Sequence, residues 1–397
     1  MNAEEAIAIV NKVARDELID ELLVEVLRSP SPQTEALEAD PAIREFVAAK
    51  IAPRIEALTG ARPKVDAMGN LLWRHGPSAP PRPGLLLMAY AMTFPAASMA
   101  DPFSGAIVSG QAFGLTGPCA WGRGACEQKG ALAGMIAAAA MVIQSGASLR
   151  RPFHLVVSLA GETGRHDAAD FILEHSPIAA RHGIVGLGTC NRVCLGNKGR
   201  LDMEIVVRGK SSHSSTPWEG VNAIDGARRV MDRLDGLVPE SSHPHLGRST
   251  LTLTGIESSP RISHTVPDLC RLTLDRRLLP TEDPDRAFET ISQALSGLDP
   301  WHVRVERGPF MYPSEVSSGC DVARALKAAC ALLGADGEPF YSHAALDAGF
   351  LNRKGIETVM FGPGDLRFAH TDQEVVALTE VRLAARVYAA ATFQLLT

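Results

Sequence analysis

The sequence lacks several features that mark nucleic-acid-binding and membrane proteins. Its 397 residues contain no run of Lys and Arg, and the formal net charge is -6. Since phosphate backbones and anionic lipids bind basic surfaces, this composition disfavours both as partners. No apolar run reaches the roughly 18 residues that a membrane helix needs. The most apolar stretch, ALAGMIAAAAMVIQSG, is too short and is rich in Ala and Gly.

The first residues and the cysteines bear on the cellular compartment. The stretch MNAEEAIAIVNKVARDELIDELLVEVL is acidic, and it lacks the basic region and the small-residue cleavage site of a signal peptide. Seven cysteines without paired spacing are typical of buried, reduced thiols. We therefore expect a soluble, cytoplasmic protein that acts on a small molecule.

The first half of the chain alternates between short apolar strands and helices. The strands are LLLMAY (85–90), HLVVSLA (154–160) and GIVGLG (183–188), and helices are predicted over about 128–145 and 167–175. Strands that are apolar at every position are typical of a buried parallel sheet. This rhythm predicts an α/β domain in which helices cover a mostly parallel sheet.

The pattern changes near residue 200 and changes back near residue 309. Strands between these points alternate apolar and polar residues, as half-exposed antiparallel strands do. They are RLDMEIVVRG (200–209), STLTLTGIES (249–258), RLTLDRRLL (271–279) and HVRVER (302–307), with a helix at about 221–235. We predict a discontinuous α/β domain, 1–199 and 309–397, that is interrupted by an inserted α+β domain, 200–308.

The remaining elements complete the predicted α/β domain. Two amphipathic helices, about 3–28 and 41–58, come first. A helix near 321–333, the strand ETVMFG (357–362) and a last helix at about 376–395 follow the insertion. No internal repeat and no low-complexity tract is present.

Three potential metal ligands follow predicted strands. Glu127, Glu162 and His370 lie in loops that would meet at the carboxyl ends of the parallel strands, where ligand sites form in such sheets. Two carboxylates and an imidazole suit Zn, Mn or Co. On spacing alone, ordinary surface acids and a loop histidine are the better explanation of these residues.

Longer motifs connect the chain to a known family. They are WGRGACEQKGALAGM, GNKGRLDMEIVVRGKSSHSSTPWEGVNAI, HTVPDLCRLTLDRRLLP, GIETVMFGPGD and AHTDQE. From about residue 5 to 395 the chain resembles the family of acetylornithine deacetylase, succinyl-diaminopimelate desuccinylase, glutamate carboxypeptidase and aminoacylase. Members are dinuclear metal amidohydrolases with a catalytic α/β domain and an inserted dimerisation or lid domain. The resemblance implies this fold and a homodimer formed through the inserted domain.

The resemblance also implies that one of the two metal sites has been lost. The family's first metal histidine and its supporting aspartate correspond to Tyr90 and Met92, and a later acidic ligand corresponds to Leu187. The bridging aspartate corresponds to Glu127. The second site would keep Glu127, Glu162 and His370. The implied cofactor is therefore at most one Zn, Mn or Co ion per chain, or none.

The family's general base is missing as well. In the Glu-Glu pair that supplies the base and a ligand, the base position is Gly161. General acid–base catalysis contributes typically 10²–10⁴-fold, so ordinary hydrolysis needs a replacement group. Candidates are His166, Asp167, Glu127 and Tyr90, and Cys126 is a candidate nucleophile.

Several further positions are candidates for catalysis or substrate binding. By resemblance, His213 would stabilise the oxyanion of the substrate from across the dimer. Asn222 would bind substrate, cap a helix or contact the partner, and Arg277 would bind a carboxylate or pair with Asp275. The other candidates for contact with substrate are His264, Asp347 and Tyr90.

Three functions remain open on these residues. The first is hydrolysis of an amide or amidine-like C–N bond in a small carboxylated substrate, with Glu127, Glu162 and His213 as catalytic residues. The second is a reaction without metal on the same fold, catalysed by a lyase, an isomerase or a condensing enzyme. The third is a non-catalytic binding protein.

Overall fold

A computed structural model describes residues 1–77, 82–161 and 167–397 and divides into two compact units. The first unit comprises Met1–Leu195, Val316–Phe340 and Phe350–Thr397, and the second comprises Gly196–Glu315 and Tyr341–Gly349. The segment Tyr341–Gly349 thus groups with the second unit, although the sequence placed it in the α/β domain. Its hydrogen bonds give the reason, because the backbone N–H of Lys198 donates to the carbonyl of Ser342 at 3.2 Å. The predicted domain boundaries remain a prediction.

A sheet with a parallel centre forms the core of the first unit. Its four central strands, in spatial order, are Phe153–Ser158, Gly84–Tyr90, Ala180–Gly186 and Glu357–Phe361, and each neighbouring pair is parallel. Every residue of Gly84–Tyr90 is buried, as its continuous apolar sequence predicts. The predicted α/β class is confirmed.

Antiparallel strands flank this centre. On one side lie Leu71–His75 and then Lys64–Val65. On the other side Cys194 of the strand Cys194–Asn197 pairs antiparallel with Met360. The sheet is therefore mixed at its edges.

The helices of the first unit differ from the prediction mainly near the amino terminus. The predicted helix 3–28 is wrong as a single element, because Ala14 is extended and a second helix starts after it. Asp16 and Glu17 occupy the first turn of that second helix, where carboxylates interact favourably with the helix dipole. The α-helices of the described part of this unit are Ala3–Val13, Asp16–Leu27, Pro41–Glu45, Ala52–Thr59, Gly130–Gln144, Asp167–His175, Asp321–Leu332 and Leu378–Leu396. The helix Ala348–Arg353 begins in residues of the second unit and ends in residues of the first.

One core helix packs against the sheet and the last helix. Residues 125–144 form a helical stretch long and apolar enough to span a membrane by length and composition, but nearly all of it is buried inside the protein. The last helix packs against it at Gly134, where an added Cβ would lie at an ordinary contact distance of 3.4 Å from Cε2 of Tyr388. The burial of this stretch is that of a core helix.

A small three-stranded sheet was not predicted. Pro118–Trp121 is its central strand and pairs with Ala106–Ser109 and with Val375–Ala377. The pairing of Pro118–Trp121 with Val375–Ala377 brings the segment that leads to Glu127 next to the segment that follows His370.

The second unit is a four-stranded antiparallel sheet with two helices. Its strands, in spatial order, are Thr250–Ser259, Leu269–Leu278, Gly199–Arg208 and His302–Met311. Helix Ala223–Leu234 matches the prediction, whereas helix Pro284–Ala294 was missed. The missed helix carries a recognisable start signal, because Asp283 caps its amino terminus directly before Pro284.

Candidate active site

The loop that carries Glu127 is held between the ends of two parallel strands. Gly124 has φ +82°, and a Cβ there would lie 2.4 Å from Cγ2 of Thr93, so only glycine fits. The chain then makes a π-helical turn over Ala125–Lys129. The N–H of Gly188, after the strand Ala180–Gly186, donates to the backbone carbonyl of Glu127 at 3.2 Å. The backbone of Glu127 is therefore fixed at the carboxyl ends of the sheet strands.

A buried ion pair anchors the same loop to the chain around His370. Arg123 and Glu374 have fully buried side chains, and Nη1 of Arg123 lies 3.0 Å from Oε2 of Glu374. The backbone N–H groups of Gly124 and Cys126 donate to the carboxylate of Glu374 at 2.9 and 3.3 Å. Burial raises the pKa of Glu374, while the hydrogen bond from Gly124 and the charge of Arg123 lower it. This single carboxylate thus fixes the loop backbone just before Glu127.

His370 lies directly beside Glu127. Its Nε2 is 3.1 Å from Oε2 of Glu127, and its side chain is 44% exposed against 14% for Glu127. The ring stacks on Phe94 with centroids 4.1 Å apart and planes inclined by 12°. The backbone of His370 has φ +63°, a left-handed conformation that is uncommon outside glycine. The structure therefore brings together two of the three predicted metal ligands.

The third predicted ligand, Glu162, lies outside the described residues. His166 lies outside them as well, and the side chain of Asp167 is not described. Within residues 1–77, 82–161 and 167–397, no group of three or more His, Cys, Asp or Glu side chains is arranged to hold a metal ion. A site made of Glu127, Glu162 and His370 remains a prediction.

Buried side chains without a carboxylate or imidazole occupy the positions that the resemblance assigns to the family's other metal site. Tyr90, Met92 and Leu187 are 3%, 0% and 5% exposed. The base position is also closed, because a Cβ on Gly161 would lie 2.4 Å from the carbonyl oxygen of Met92. This part of the site has no space for a carboxylate at residue 161.

The structure disfavours cysteine catalysis by Cys126. The residue is 1% exposed, and its Sγ donates to Oε1 of Glu374 at 3.4 Å. Burial raises the pKa of Cys126 well above its usual range, and the charges of Glu374 and Glu127 raise it further. The thiol therefore stays protonated near neutral pH, whereas a nucleophilic cysteine acts as a thiolate.

Two predicted substrate-binding histidines lie together in the second unit. The rings of His213 and His264 have centroids 5.9 Å apart, and both residues are exposed. Nδ1 of His213 accepts the backbone N–H of Ser215 at 3.2 Å and lies 2.7 Å from its hydroxyl. That acceptor role places the ring proton of the neutral form on Nε2.

Three other predicted substrate contacts already have structural partners or are buried. The side chain of Asn222 accepts the N–H of Ile224 at 2.9 Å and so caps helix Ala223–Leu234. Arg277 pairs with Asp275 through contacts of 2.7 and 2.9 Å. Asp347 is fully buried. The capping and ion-pair alternatives therefore describe Asn222 and Arg277 in this structure.

Two residues near the site were not predicted. Phe94 stacks on His370, and no sequence signal marks it. Lys129 is fully buried; its Nζ donates to the carbonyl of Ser29 at 2.6 Å and lies 5.2 Å from the ring centroid of Phe46. Burial lowers the pKa of Lys129 to about 7. In the sequence, Lys129 was noted only as part of the motif WGRGACEQKGALAGM, with no role of its own.

Comparison with known proteins identifies relatives across the chain. Residues 195–303 match the family described as the peptidase dimerisation domain. Acetylornithine deacetylase of Myxococcus xanthus is 30% identical over 275 residues, which are 66% of this chain and 68% of the relative. A probable carboxypeptidase of Aspergillus flavus is 26% identical over 285 residues, which are 67% of this chain and 63% of the relative.

A solved structure shows the same fold over nearly the whole chain. It is an M20 family metallo-carboxypeptidase from Sulfolobus solfataricus, with a TM-score of 0.77 and 19% identity. The similarity covers 94% of this chain and 98% of that one. The 30% identity to the deacetylase, over 68% of that relative, shows that the chain has hydrolases among its relatives and that it belongs to the M20 peptidase family.

Proposed function

We propose that the protein hydrolyses a C–N bond, of an amide or amidine, in a small carboxylated substrate, with at most one metal ion per chain. The observation that carries this proposal is the 3.1 Å approach of His370 Nε2 to Glu127 Oε2 at the carboxyl ends of the sheet strands. The relatives described above are a deacetylase and carboxypeptidases, which act on bonds of this class.

The donor atoms fit a single metal ion. A carboxylate oxygen and an imidazole nitrogen are ligands that Zn, Mn and Co accept, and Glu162 would be the third ligand. A metal bound there would lower the pKa of a water molecule to about 7. Phe94 orients the imidazole of His370, and the 44% exposure of that side chain leaves the pair open to substrate.

Proton transfer needs a group other than residue 161. Glu127 and His370 are within hydrogen-bond distance, so a proton can pass between Oε2 and Nε2. The same contact supports the second candidate function, which is acid–base catalysis by this pair without metal in a lyase, isomerase or condensing enzyme. Metal content distinguishes the two.

The replacement of His370 by alanine tests the metal site. We expect purified protein to hold about one tightly bound ion per chain after dialysis against Zn, Mn or Co, and His370→Ala to hold none, because three protein ligands are the usual minimum for such a site. Elemental mass spectrometry measures this directly. The matched control, His302→Ala in the second unit, should keep the wild-type content. Wild-type protein free of metal under all three conditions would contradict the proposal and favour the metal-free candidate.

We also infer that two copies of the chain form a homodimer through the second unit. Strand Thr250–Ser259 is an edge strand whose only partner among the described strands is Leu269–Leu278. Leu253 and Ile256 on it are 40% and 54% exposed. An exposed edge with apolar side chains is a surface that pairs with another chain.

A charge on this edge should dissociate the dimer. We expect Ile256→Lys to raise the dimer dissociation constant by about tenfold or more, because a lysine would be desolvated in the interface. Light scattering coupled to size-exclusion chromatography measures the mass at decreasing concentration. Ile107→Lys changes an isoleucine that is 51% exposed in the first unit and should leave the mass unchanged. Equal dissociation of both variants would rule out this edge as the interface.

A further inference from the structure

We propose that the first unit carries a second binding site, for a small carboxylate with a short apolar chain, in a cavity at the antiparallel edge of its sheet. The cavity has a volume of about 350 Å³. It lies between the strands Lys64–Val65, Leu71–His75 and Phe153–Ser158 and the segment 175–178. This site does not depend on the proposed reaction, and it shares no residue with the pair Glu127–His370.

Strand register supplies the apolar floor of the cavity. Leu72 lies opposite Val156 on one neighbouring strand and opposite Lys64 on the other. Directly opposite residues of antiparallel strands have side chains on the same face of the sheet. Pro177 and Ile178 line the cavity as well. The floor can therefore take up an aliphatic chain.

The rim of the cavity is positively charged. Arg62, Lys64 and Arg74 line it, and Lys64 forms no ion pair with any described residue. The acid among the lining residues is Asp66, whose Oδ1 accepts the backbone N–H groups of Met68, Gly69 and Asn70 at 2.8–2.9 Å. These hydrogen bonds engage the carboxylate of Asp66. Arg62 lies 3.9 Å from Glu56, and among the described residues Arg74 donates only to the neutral carbonyls of Gly76 and Pro77. Lys64 and Arg74 are therefore the cations that an anionic ligand would meet.

A buried histidine adds a hydrogen-bond donor to this cavity. His154 is 4% exposed and lies opposite Arg74 in the register. Its Nε2 accepts the N–H of Ala179 at 3.3 Å, which assigns the ring proton to Nδ1. Burial lowers the pKa of His154 to about 4, so the ring is neutral at pH 7. Among the described residues Nδ1 has no hydrogen-bond partner.

These features together define the class of ligand. The described residues supply no acceptor for the Nδ1–H of His154, so a ligand in the cavity can accept its hydrogen bond. A carboxylate supplies that acceptor and pairs with the cations of the rim, while its chain covers the floor formed by Leu72 and Val156. The volume falls at the lower end of the range for small-molecule sites, which limits the ligand to a short chain.

Calorimetric titration of the full chain with hexanoate tests the site. We expect saturable binding of one hexanoate per chain, at least about tenfold weaker binding of the uncharged hexanol, and no binding of hexylamine, because the rim is cationic. The double variant Lys64→Gln/Arg74→Gln should weaken hexanoate binding about tenfold or more. Lys210→Gln/Arg228→Gln removes the same charges from exposed positions of the second unit and should bind as wild type does.

Two further variants separate this cavity from the candidate active site. Leu72→Trp should abolish hexanoate binding by filling the cavity, and its circular dichroism reports whether the fold is kept. His370→Ala should bind hexanoate with unchanged affinity. Absence of saturable binding to wild type, equal binding of hexanol, or loss of binding only in His370→Ala would each overturn the proposal.

Discussion

Replacement of Glu374 by alanine is expected to lower the free energy of unfolding of the first unit by about 3–5 kcal/mol. The variant would leave the guanidinium of Arg123 fully buried without its carboxylate, which lies 3.0 Å away in the wild type. It would also remove the acceptor for the N–H groups of Gly124 and Cys126. Removal of one member of a buried ion pair is costly because the remaining charge stays desolvated.

Differential scanning calorimetry measures this effect as a fall of roughly 6 °C or more in the transition temperature of the first unit. Glu35→Ala is the matched control, since Glu35 is an exposed glutamate of the same unit. A shift for Glu374→Ala no larger than that of the control would show that the pair contributes little to stability. We also expect the variant to hold Glu127 less firmly, because the loop before it loses its anchor.

The second large effect concerns an attempt to place a glutamate at residue 161, where the family resemblance predicts the general base. We expect Gly161→Glu to lower the free energy of unfolding by about 3 kcal/mol or more and to give no gain in hydrolytic rate. The Cβ alone would lie 2.4 Å from the carbonyl oxygen of Met92, so backbone must move before any carboxylate fits. If the base were simply absent from an otherwise intact site, its return would raise the rate about 10²–10⁴-fold.

Two variants make this prediction specific. Gly161→Ala should destabilise the first unit nearly as much as Gly161→Glu, because the clash arises at the Cβ. Gly319→Ala should have little effect, since the nearest atom to its added Cβ, Ser317 Oγ, is 3.5 Å away. Chemical denaturation gives the stabilities, and turnover of N-acyl amino acids gives the rates. A stable Gly161→Glu variant with faster turnover would refute the claim that the structure has no room for a side chain at residue 161.

Elements with strong local patterns were predictable from the sequence. The parallel strand Gly84–Tyr90 is apolar at every position, and helix Ala223–Leu234 has a clear amphipathic period. Short elements with little pattern of their own were not. The strand Val375–Ala377 is three residues long and gains its identity only by pairing with Pro118–Trp121. Helix Pro284–Ala294 was missed although Asp283 and Pro284 mark its start.

The candidate site shows the same division. The approach of His370 to Glu127 follows from the rule that strand ends meet at one edge of a parallel sheet, and the two side chains lie 3.1 Å apart. Their role as metal ligands stays a prediction. Residue type alone could not decide between a structural and a substrate-binding role for Asn222 and Arg277. An amide can cap a helix or bind substrate, and a guanidinium can pair with Asp275 or with a substrate carboxylate. The stacking of Phe94 depends on the backbone path after Tyr90, which no motif specifies.

The carbonyl oxygen of Met92 fills the space that a side chain at residue 161 would need, and this bears on how the protein evolved. If an ancestor had a glutamate at residue 161, as the resemblance implies, its return would now lower stability before it could be tested for activity. Reversal would need a prior change in the chain around Met92. On that history, packing around residue 161 makes loss of the base hard to reverse, and selection acts on chemistry that does without it.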